Sequence, residues 1–326
     1  MSMLTRRHIA GLAGAAIFGR AAQAQPRWSP SRSIRILVGA VPGGGNDTTT
    51  RILAPKLQAL LGQPIVVENR PGGAGNIAAE ATINAPPDGH TLVMGTIASL
   101  VMNPIMTRLT SDMTTDLTPI GRSVEVLNVV VVPPDRPWRD LRSLIDAARA
   151  RPDALAYGSS GIGSGGHLAG ALLDHRAGIR TVHVPYRGGG QLISDIISGK
   201  VDYSAATAAT VLPHIEAGRL RALAVPAAQR TAMLPEVPTV AEAADLPGYA
   251  IPNWYAVMGP RALPEPIIAR LSEALTEALH DPGTVTSLMR HGLEPSPSTP
   301  AELLRFMREE TARWTPILRE AGASGN

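Results

Sequence analysis

Short apolar runs alternate with longer segments of helical periodicity along the first third of the chain. The apolar run 34–38 predicts a buried strand. A helix is predicted over 48–61, where apolar residues recur at helical spacing until Gly62 ends the pattern. Further strands are predicted over 64–68 and 91–94. Alternating strands and helices of this kind predict a parallel sheet covered by helices.

The apolar pattern restarts at Val129 and predicts a second unit of the same kind. Strands are predicted over 129–132, 154–157, 181–186, 201–205 and 220–225, with helices over 141–150, from 167 onward and over 191–198. The C-terminal tail is different, because it is predicted to be helical over 266–280, 284–290 and 300–320 without a strand of its own. These helices need a sheet to cover, and we expect it to be that of the first unit.

Two units with this order predict two lobes joined by two chain crossings, near 124–130 and near 249–257. We therefore expect a discontinuous lobe 1 at 32–125 and 250–326, and lobe 2 at 126–249. A chain of 326 residues normally divides into two domains. A cleft between lobes joined by a hinge is a common ligand site.

Residues 1–24 have the three parts of a secretory signal peptide. Arg6 and Arg7 precede a short apolar run over 9–18, and an A-x-A cleavage site ends at Ala24. The paired arginines favour the twin-arginine route, although an ordinary Sec signal that happens to carry two arginines fits as well. The apolar run is too short to cross a membrane, which takes about 20 residues. We expect export, cleavage near Ala24 and a soluble protein in the periplasm.

The leader also accounts for the basic character of the chain. Its charged side chains are Arg6, Arg7 and Arg20, so subtracting 3 from the formal net charge of +3 leaves zero for the mature chain. That balance does not support nucleic-acid binding, where basic side chains offset phosphates. The chain has no cysteine, which excludes disulfides, thiolate catalysis, cysteine-ligated metals and a lipoprotein anchor.

Two glycine-rich turns follow a predicted strand and precede a predicted helix, one in each lobe. The first contains Gly43, Gly44, Gly45, Asn46 and Asp47, and the second contains Ser159, Ser160, Gly161, Gly163 and Ser164. A helix start offers unpaired N–H groups and the positive end of the helix dipole, which suit an anion. Neither turn contains Lys or Arg, which favours a carboxylate over a phosphate. Facing turns would suit a dicarboxylate, although a single turn of this kind is also common as plain structure.

Enzyme signatures are weaker in this sequence. The first turn approximates the dinucleotide-binding fingerprint, but Thr48 replaces its third glycine. Neither Ser160 nor Ser164 lies in a G-x-S-x-G motif. Ser164 and His167 could form a nucleophile–base pair, whereas a first-turn position in a helix is the simpler interpretation of His167. The histidines show no metal-ligand spacing, so we expect neither catalysis nor a metal.

Three further residues are candidates for the cleft. Asp202 begins a predicted strand, where it is either at a cleft edge or a turn carboxylate. Tyr186 ends a strand on the cleft side and could hydrogen-bond a ligand. Trp254 lies near the return crossing, where it lines the hinge or simply packs.

Motifs along most of the mature chain match one known family. They include Pro42-Gly43-Gly44 with Asp47 and Arg51, Val67-Glu68-Asn69-Arg70-Pro71-Gly72, Pro87-Asp88-Gly89-His90-Thr91-Leu92, His183-Val184-Pro185-Tyr186-Arg187-Gly188 and Leu234-Pro235-Glu236-Val237-Pro238-Thr239. On these residues the chain resembles the substrate-binding proteins of tripartite tricarboxylate transporters, often called Bug receptors. The runs 67–72 and 183–188 are the most specific of them.

The resemblance implies an α/β, two-lobed periplasmic binding protein of type II, a Venus flytrap in which each lobe is a mostly parallel sheet flanked by helices. It implies no catalysis and no cofactor. The implied ligands are carboxylates, such as dicarboxylates, amidated amino acids and aromatic acids. By position it implies that the ligand is held, partly through waters, by Gly43 to Asp47, Thr96, Ser159 to Ser164, Tyr186 and Asp202.

Two departures from the family pattern fall at the expected site. Relatives often carry a bulky aromatic residue just before the Pro-Gly-Gly turn, where this chain has Ala40 and Val41. They often carry a Phe where this chain has Ala205. Both departures remove ring surface, so we expect a roomier or more polar pocket.

These observations lead to an expected function and to one alternative. We expect a monomer that captures a small organic acid, such as a di- or tricarboxylate, for the membrane permease subunits of a tripartite tricarboxylate-type transporter. A sensor that presents its bound form to a receptor kinase outside the cytoplasm would use the same site and differ only in its partner. A neighbouring permease gene or sensor-kinase gene would separate the two, and an enzyme is the least supported reading of the sequence.

Overall fold

The computed structural model describes residues 27–106 and 111–320. The predicted signal peptide at 1–24 lies outside the described residues. Within the described ranges, no helix is both long and apolar enough to cross a membrane.

Eleven strands and eleven α-helices are assigned in these ranges. The strands are β1 Ile34–Val38, β2 Ile65–Asn69, β3 Thr91–Thr96, β4 Leu117–Val126, β5 Asn128–Val132, β6 Ala156–Ser159, β7 Val182–Pro185, β8 Tyr203–Thr207, β9 Arg221–Ala224, β10 Trp254–Pro260 and β11 Leu293–Pro295. The helices are α1 Gly45–Leu61, α2 Asn76–Ile83, α3 Asn103–Met106, α4 Leu141–Ala150, α5 Gly165–Ala177, α6 Gly189–Ile197, α7 Ala208–Glu216, α8 Val240–Ala244, α9 Glu265–His280, α10 Pro282–Met289 and α11 Pro300–Glu320. A 3-10 turn at Gly73–Gly75 precedes α2, and a π turn at Ala98–Met102 precedes α3.

The strands form two sheets. The first has the order β11-β4-β10-β3-β1-β2, and the second has the order β7-β6-β8-β5-β9. In each sheet, the strand that follows a crossing lies between two others: β10 lies between β3 and β4, and β5 lies between β8 and β9. The lobe boundaries at 32–125, 126–249 and 250–326 stay a prediction.

Most strands of each sheet run in one direction, as the sequence predicts, but both sheets are mixed. In the first sheet β1 pairs in parallel with β2 and β3, whereas β10 is antiparallel to both β3 and β4. In the second sheet β6 pairs in parallel with β7 and β8, whereas β5 is antiparallel to β8 and β9. Strands β10 and β5 are antiparallel because each follows a crossing and enters its sheet from the side of the cleft, and β11 is also antiparallel to β4 at the edge of the first sheet.

The two crossings are joined to each other by hydrogen bonds. Asn253, just before β10, donates from Nδ2 to Asn128 Oδ1 at 2.6 Å, and its carbonyl accepts from Val126 N–H at 2.7 Å. Asn128 Nδ2 in turn donates to the Ala205 carbonyl at 2.6 Å. The point where the chain passes between the sheets is therefore a connected polar junction beneath the cleft.

Apolar packing of the tail completes the first sheet. Helices α9 and α11 contact β4, and Trp254 on β10 packs edge-on against Phe306 of α11 with ring centroids 5.3 Å apart. Trp254 is only 1% exposed, so it is a packing residue. The predicted helices over 141–150 and 300–320 match α4 and α11 at both ends.

Candidate functional site

A cavity of about 110 Å³ lies between the two sheets. The C-terminal ends of five strands, β1, β3, β6, β7 and β8, each contribute a residue to its wall that either ends the strand or follows it within three positions. These residues are Val41, Thr96, Ser160, Arg187 and Thr207. In open α/β sheets, ligands bind beyond the carboxyl ends of the strands, where the connections to the next helices lie. Strand ends of both sheets therefore meet at one site.

Four α-helices begin at this cavity. Their N-cap residues, Gly44 of α1, Ser164 of α5, Gly188 of α6 and Thr207 of α7, all line it. Only Ser164 caps its helix with its own side chain, accepting from His167 N–H at 3.3 Å. The other three caps make no such bond. Helix starts without side-chain caps keep N–H groups available, and the helix dipole adds partial positive charge at the same place.

The first glycine turn is held in shape by Asp47, which points away from the cavity. Its carboxylate accepts from Gly43 N–H at 2.9 Å, from Arg51 Nε at 2.9 Å and from Asn69 Nδ2 at 2.9 Å. Burial by itself would raise the pKa of Asp47, but the hydrogen bonds from Arg51, Gly43 and Asn69 together lower it. Asp47 is therefore ionised and neutralised by Arg51, so it does not oppose an anion in the cavity.

The second turn is held by two neutral imidazoles. His183 Nε2 lies 2.7 Å from Ser159 Oγ, and Gly163 N–H donates to His167 Nδ1 at 3.0 Å. The two rings stack with centroids 4.1 Å apart. Burial lowers the pKa of both histidines, and that of His183 falls to about 4 with a further contribution from His167. Since Nδ1 of His167 is an acceptor here, this arrangement requires the uncharged ring.

Six of the residues predicted from the sequence line the cavity, namely Gly44, Gly45, Asn46, Thr96, Ser160 and Ser164. Four others, Gly43, Asp47, Gly161 and Gly163, lie in the same turns and shape them through hydrogen bonds or positive φ angles. Ser159 is fully buried behind the second turn, on His183. The structure therefore brings both predicted turns together at one cavity.

Tyr186 and Asp202 are not brought to the cavity wall. The Tyr186 hydroxyl donates to Asp195 Oδ2 at 2.9 Å. Asp202 lies just before β8, at the end of that strand away from the cavity, where it accepts from Ala156 N–H at 2.8 Å and pairs with Arg136 at 2.9 Å. The turn-carboxylate interpretation of Asp202 agrees with this position, and the cleft-edge interpretation does not.

Sequence reasoning missed several residues of the wall. The clearest are Arg187, Thr207, Asn128, Asn253 and Tyr255. Arg187 was within reach, because the run Tyr186 to Gly190 is a third glycine turn between a strand and a helix. Asn253 and Tyr255 lie on the return crossing, whose position at the cavity depends on the sheet order and not on any local pattern.

Glycines of the turns also allow the two sides of the cleft to touch. A Cβ on Gly45 would lie 2.8 Å from Tyr255 Oη and 3.1 Å from Thr207 Cγ2. A Cβ on Gly163 would lie 2.8 Å from Asn103 Oδ1, and one on Gly188 would lie 2.5 Å from Val41 Cγ2. The contacts of Gly45 with Thr207, of Gly163 with Asn103 and of Gly188 with Val41 each join an element carried by one sheet to an element carried by the other, so the cleft is closed in this structure. Tyr255 lies on β10, on the same side of the cleft as Gly45.

The departures from the family pattern lie at the same place. Ala40, Val41 and Ala205 all line the cavity. The absence of rings at these positions therefore affects the cavity wall directly.

The arrangement at Ser164 and His167 is that of a helix cap. Ser164 Oγ donates to the Gly161 carbonyl at 2.7 Å and accepts from the backbone N–H of His167, while the His167 ring is bonded to Gly163. The serine is therefore not hydrogen-bonded to the imidazole as a nucleophile would be. Among the described residues there is also no group of three or more side chains that could hold a metal ion.

Comparison with known proteins agrees with this architecture. A family model described as tripartite tricarboxylate transporter family receptor matches residues 49–323. Protein BugT of Bordetella pertussis is 34% identical over 296 residues, which cover 90% of this chain and 90% of that protein. Rpa4515 of R. palustris, solved with adipate, is 34% identical with a TM-score of 0.86, covering 90% of this chain and 98% of that one. MatC (Rpa3494) of Rhodopseudomonas palustris, with bound malate, is 29% identical with a TM-score of 0.82, covering 89% and 99%.

The fold and the position of the cavity define a two-lobed periplasmic binding protein. The chain belongs to the tripartite tricarboxylate transporter receptor family. The family and the fold class predicted from the sequence are thereby confirmed. This is a family of solute-binding proteins whose solved members include carboxylate complexes.

Proposed function

We propose that this protein binds a small organic acid with two or three carboxylates and delivers it, as a monomer in the periplasm, to the permease subunits of a tripartite transporter. The observation that carries the proposal is the convergence of four helix N-termini on one cavity between the lobes. Each adds N–H donors and partial positive charge, which together favour an anion.

The charge of the cavity wall supports the same ligand class. Among the described residues that line the cavity, no side chain is acidic and Arg187 alone is charged. A cationic ligand would meet no counter-charge there, whereas an anion would meet an arginine and the helix starts. Adipate and malate in the two relatives solved with ligands are dicarboxylates, and they support this choice.

Delivery without chemical change is part of the proposal. The hydroxyl and imidazole groups that come nearest to a catalytic arrangement are hydrogen-bonded to each other or to the backbone. They belong to Ser159, Ser164, His167 and His183. The predicted two-lobe division adds a mechanism, since a cleft that closes over a ligand presents a different outer surface from an open one.

A thermal-shift screen of the chain from 25 to 326 tests the ligand class. Succinate, malate, citrate and adipate form the acid set, while glucose and putrescine form the neutral and cationic sets. An acid at 100 times its Kd is expected to stabilise the protein by about 2.7 kcal/mol. The matched variant Thr210→Trp places a large ring in the cavity wall and should abolish the shift without lowering the melting temperature of the free protein.

A shift with sugars or cations, and with none of the acids, would overturn the carboxylate assignment. The transport step is tested separately, by measuring uptake of the radiolabelled acid in cells from which the gene has been deleted. Uptake should fall in the deletion strain and return with the wild-type gene but not with the Thr210→Trp gene. Unchanged uptake in the deletion strain would overturn the proposed role in transport and leave the proposed binding in place.

A further inference from the structure

We infer that Arg187 determines the selectivity of this site by pairing with a second carboxylate at the mouth of the cavity, so that diacids bind more tightly than monoacids of equal length. This inference rests on the proposed function and names the residue that selects among organic acids. It assigns to a third turn, 186–190, a role that the two glycine turns do not supply.

Arg187 is the one charged side chain among the described residues that line the cavity. It is an exposed residue that also contributes to the wall, which places it at the opening of the cavity. No hydrogen bond or ion pair is found for it in the described part of the chain. An arginine without a partner at the entrance of a cavity leaves its five N–H donors available to a ligand.

The acidic group nearest along the chain is already satisfied. Asp195 of α6 accepts from the Tyr186 hydroxyl at 2.9 Å, from Gln191 Nε2 at 2.8 Å and from Lys200 Nζ at 3.1 Å. Lys200 therefore neutralises Asp195, and Tyr186 is held on the side away from the cavity. The positive charge of Arg187 is left uncompensated at the cleft.

The backbone fixes where this arginine stands. Gly188 has φ of +139°, and a Cβ at that residue would lie 2.5 Å from Val41 Cγ2. The turn after β7 is thus pressed against the turn after β1, and Arg187 lies at the seam between the two sides of the cleft. An anionic group of the ligand at this point would contact both sides when the cleft is closed.

The cavity therefore offers two different places for negative charge. The interior offers backbone N–H groups at helix starts, while the mouth offers a planar guanidinium that can bind a carboxylate through two parallel hydrogen bonds. A monoacid can use the interior alone. A diacid long enough to span both places gains the pairing with Arg187.

The test compares two matched pairs of acids, succinate with butyrate and adipate with hexanoate, by titration calorimetry. In the wild-type protein the better diacid should bind about tenfold more tightly than its monoacid, because hydrogen bonds to a charged group are stronger than those between neutral groups, although screening at an exposed site reduces the gain. In Arg187→Gln the ratio should fall close to one, through weaker diacid binding with monoacid binding unchanged. Arg187→Lys should keep part of the ratio, since it retains the charge and loses the planar fork.

The matched control is Arg180→Gln. Arg180 precedes β7, at the opposite end of the strand from Arg187, and its pair with Asp153 is exposed on both sides. The substitution removes the same charge from the protein and should leave the diacid-to-monoacid ratio unchanged. Raising the NaCl concentration should weaken diacid binding more in the wild type than in Arg187→Gln.

Each outcome has a distinct meaning. If diacids and monoacids bind and Arg187→Gln leaves their ratio intact, or weakens both acids equally, Arg187 has no role in selectivity and the inference fails while the proposed function stands. If no acid binds to the wild-type protein, the proposed function fails, and this inference fails with it. If the diacid-to-monoacid ratio falls equally in Arg180→Gln, the effect comes from the net charge of the protein and not from Arg187, which would also overturn the inference.

Discussion

The two glycine turns that face each other across the cavity are built in different ways. The turn of α1 is organised by a buried ion, Asp47, which accepts hydrogen bonds from Gly43, Arg51 and Asn69. The turn of α5 is organised by uncharged groups, the Ser159–His183 and Gly163–His167 pairs. Both arrangements leave helix N–H groups facing the same cavity.

The difference shows that the side chains packed behind an anion site can be kept without net charge in two ways. A carboxylate behind the first turn is acceptable because Arg51 compensates it at 2.9 Å. The imidazoles behind the second turn are acceptable because burial keeps them unprotonated at neutral pH. The stability of the first turn should therefore depend on the Asp47–Arg51 ion pair, and the stability of the second turn should depend on pH.

The largest expected effect follows from removal of the ion. Asp47→Ala leaves three donors without their acceptor in a place where Asp47 is 2% exposed, and it should lower the free energy of unfolding by about 3 kcal/mol. Urea unfolding monitored by circular dichroism measures the change. Arg32→Ala is the control, because the pair of Arg32 with Asp88 is exposed on both sides and its loss should cost at most about 1 kcal/mol. Equal losses in the two variants would contradict the central role of Asp47.

Acidification should destabilise the second turn. The pKa of His183 is depressed to about 4, so its contribution to stability is complete above the unfolded pKa of about 6.5 and is lost as pH falls toward 4. The shift corresponds to about 2 kcal/mol after allowance for partial exposure. His183→Gln should flatten this part of the pH profile of unfolding, whereas replacement of the exposed His175 by Gln should not.

One neighbouring carboxylate acts in the opposite sense over the same range. Burial raises the pKa of Asp174 to about 6, so it destabilises the fold as pH rises above the ordinary range of Asp. The comparison is therefore made between the wild type and His183→Gln, where the Asp174 contribution cancels. A profile that is unchanged by His183→Gln would show that the imidazole pair does not carry the pH dependence.

A smaller effect is expected from a methyl group at the contact between the two sides. Gly45→Ala should weaken binding of the best acid about tenfold, because its Cβ would lie 3.1 Å from Thr207 Cγ2 on the other side of the cleft and hinder closure. Some loss of stability should accompany the weaker binding, because the same Cβ would lie 2.8 Å from the Oη of buried Tyr255. Gly190→Ala is the control, because a Cβ there meets nothing within 4 Å. Titration calorimetry on both variants measures the effect. Equal affinities of the two variants would show that the contact at Gly45 does not affect closure over the ligand.

The local pattern of the sequence was sufficient for the elements that carry both turns. Apolar runs predicted β1, β2, β3, β5 and β6, and helical spacing predicted α1 and α4 to within three residues at either end. Gly44 and Ser164, which the sequence placed in the turns before the predicted helices at 48 and 167, are the N-caps of α1 and α5, which begin earlier than predicted. The resemblance to the family then supplied the two-lobed fold, which no single motif could have specified.

What the sequence could not provide is the contribution of distant segments. Strand β4 was missed because Pro119, Gly121, Arg122 and Glu125 interrupt any apolar run in it. Helix α7 was missed because a short Ala-rich segment has no clear boundary, and with it the cap at Thr207. Neither of the two glycine turns contains Lys or Arg, but the cavity is also lined by Arg187, which comes from a third turn.

The position of β10 makes the first sheet depend on a segment encoded far from most of its strands. This strand lies between β3 and β4, so the first sheet remains in two pieces until residue 260 has been made, although most of its strands are encoded near the N-terminus. All five strands of the second sheet are complete by residue 224. The segment that encodes most strands of the first sheet therefore cannot complete that sheet, and a chain cut after residue 253 would keep the second sheet whole while leaving the first divided.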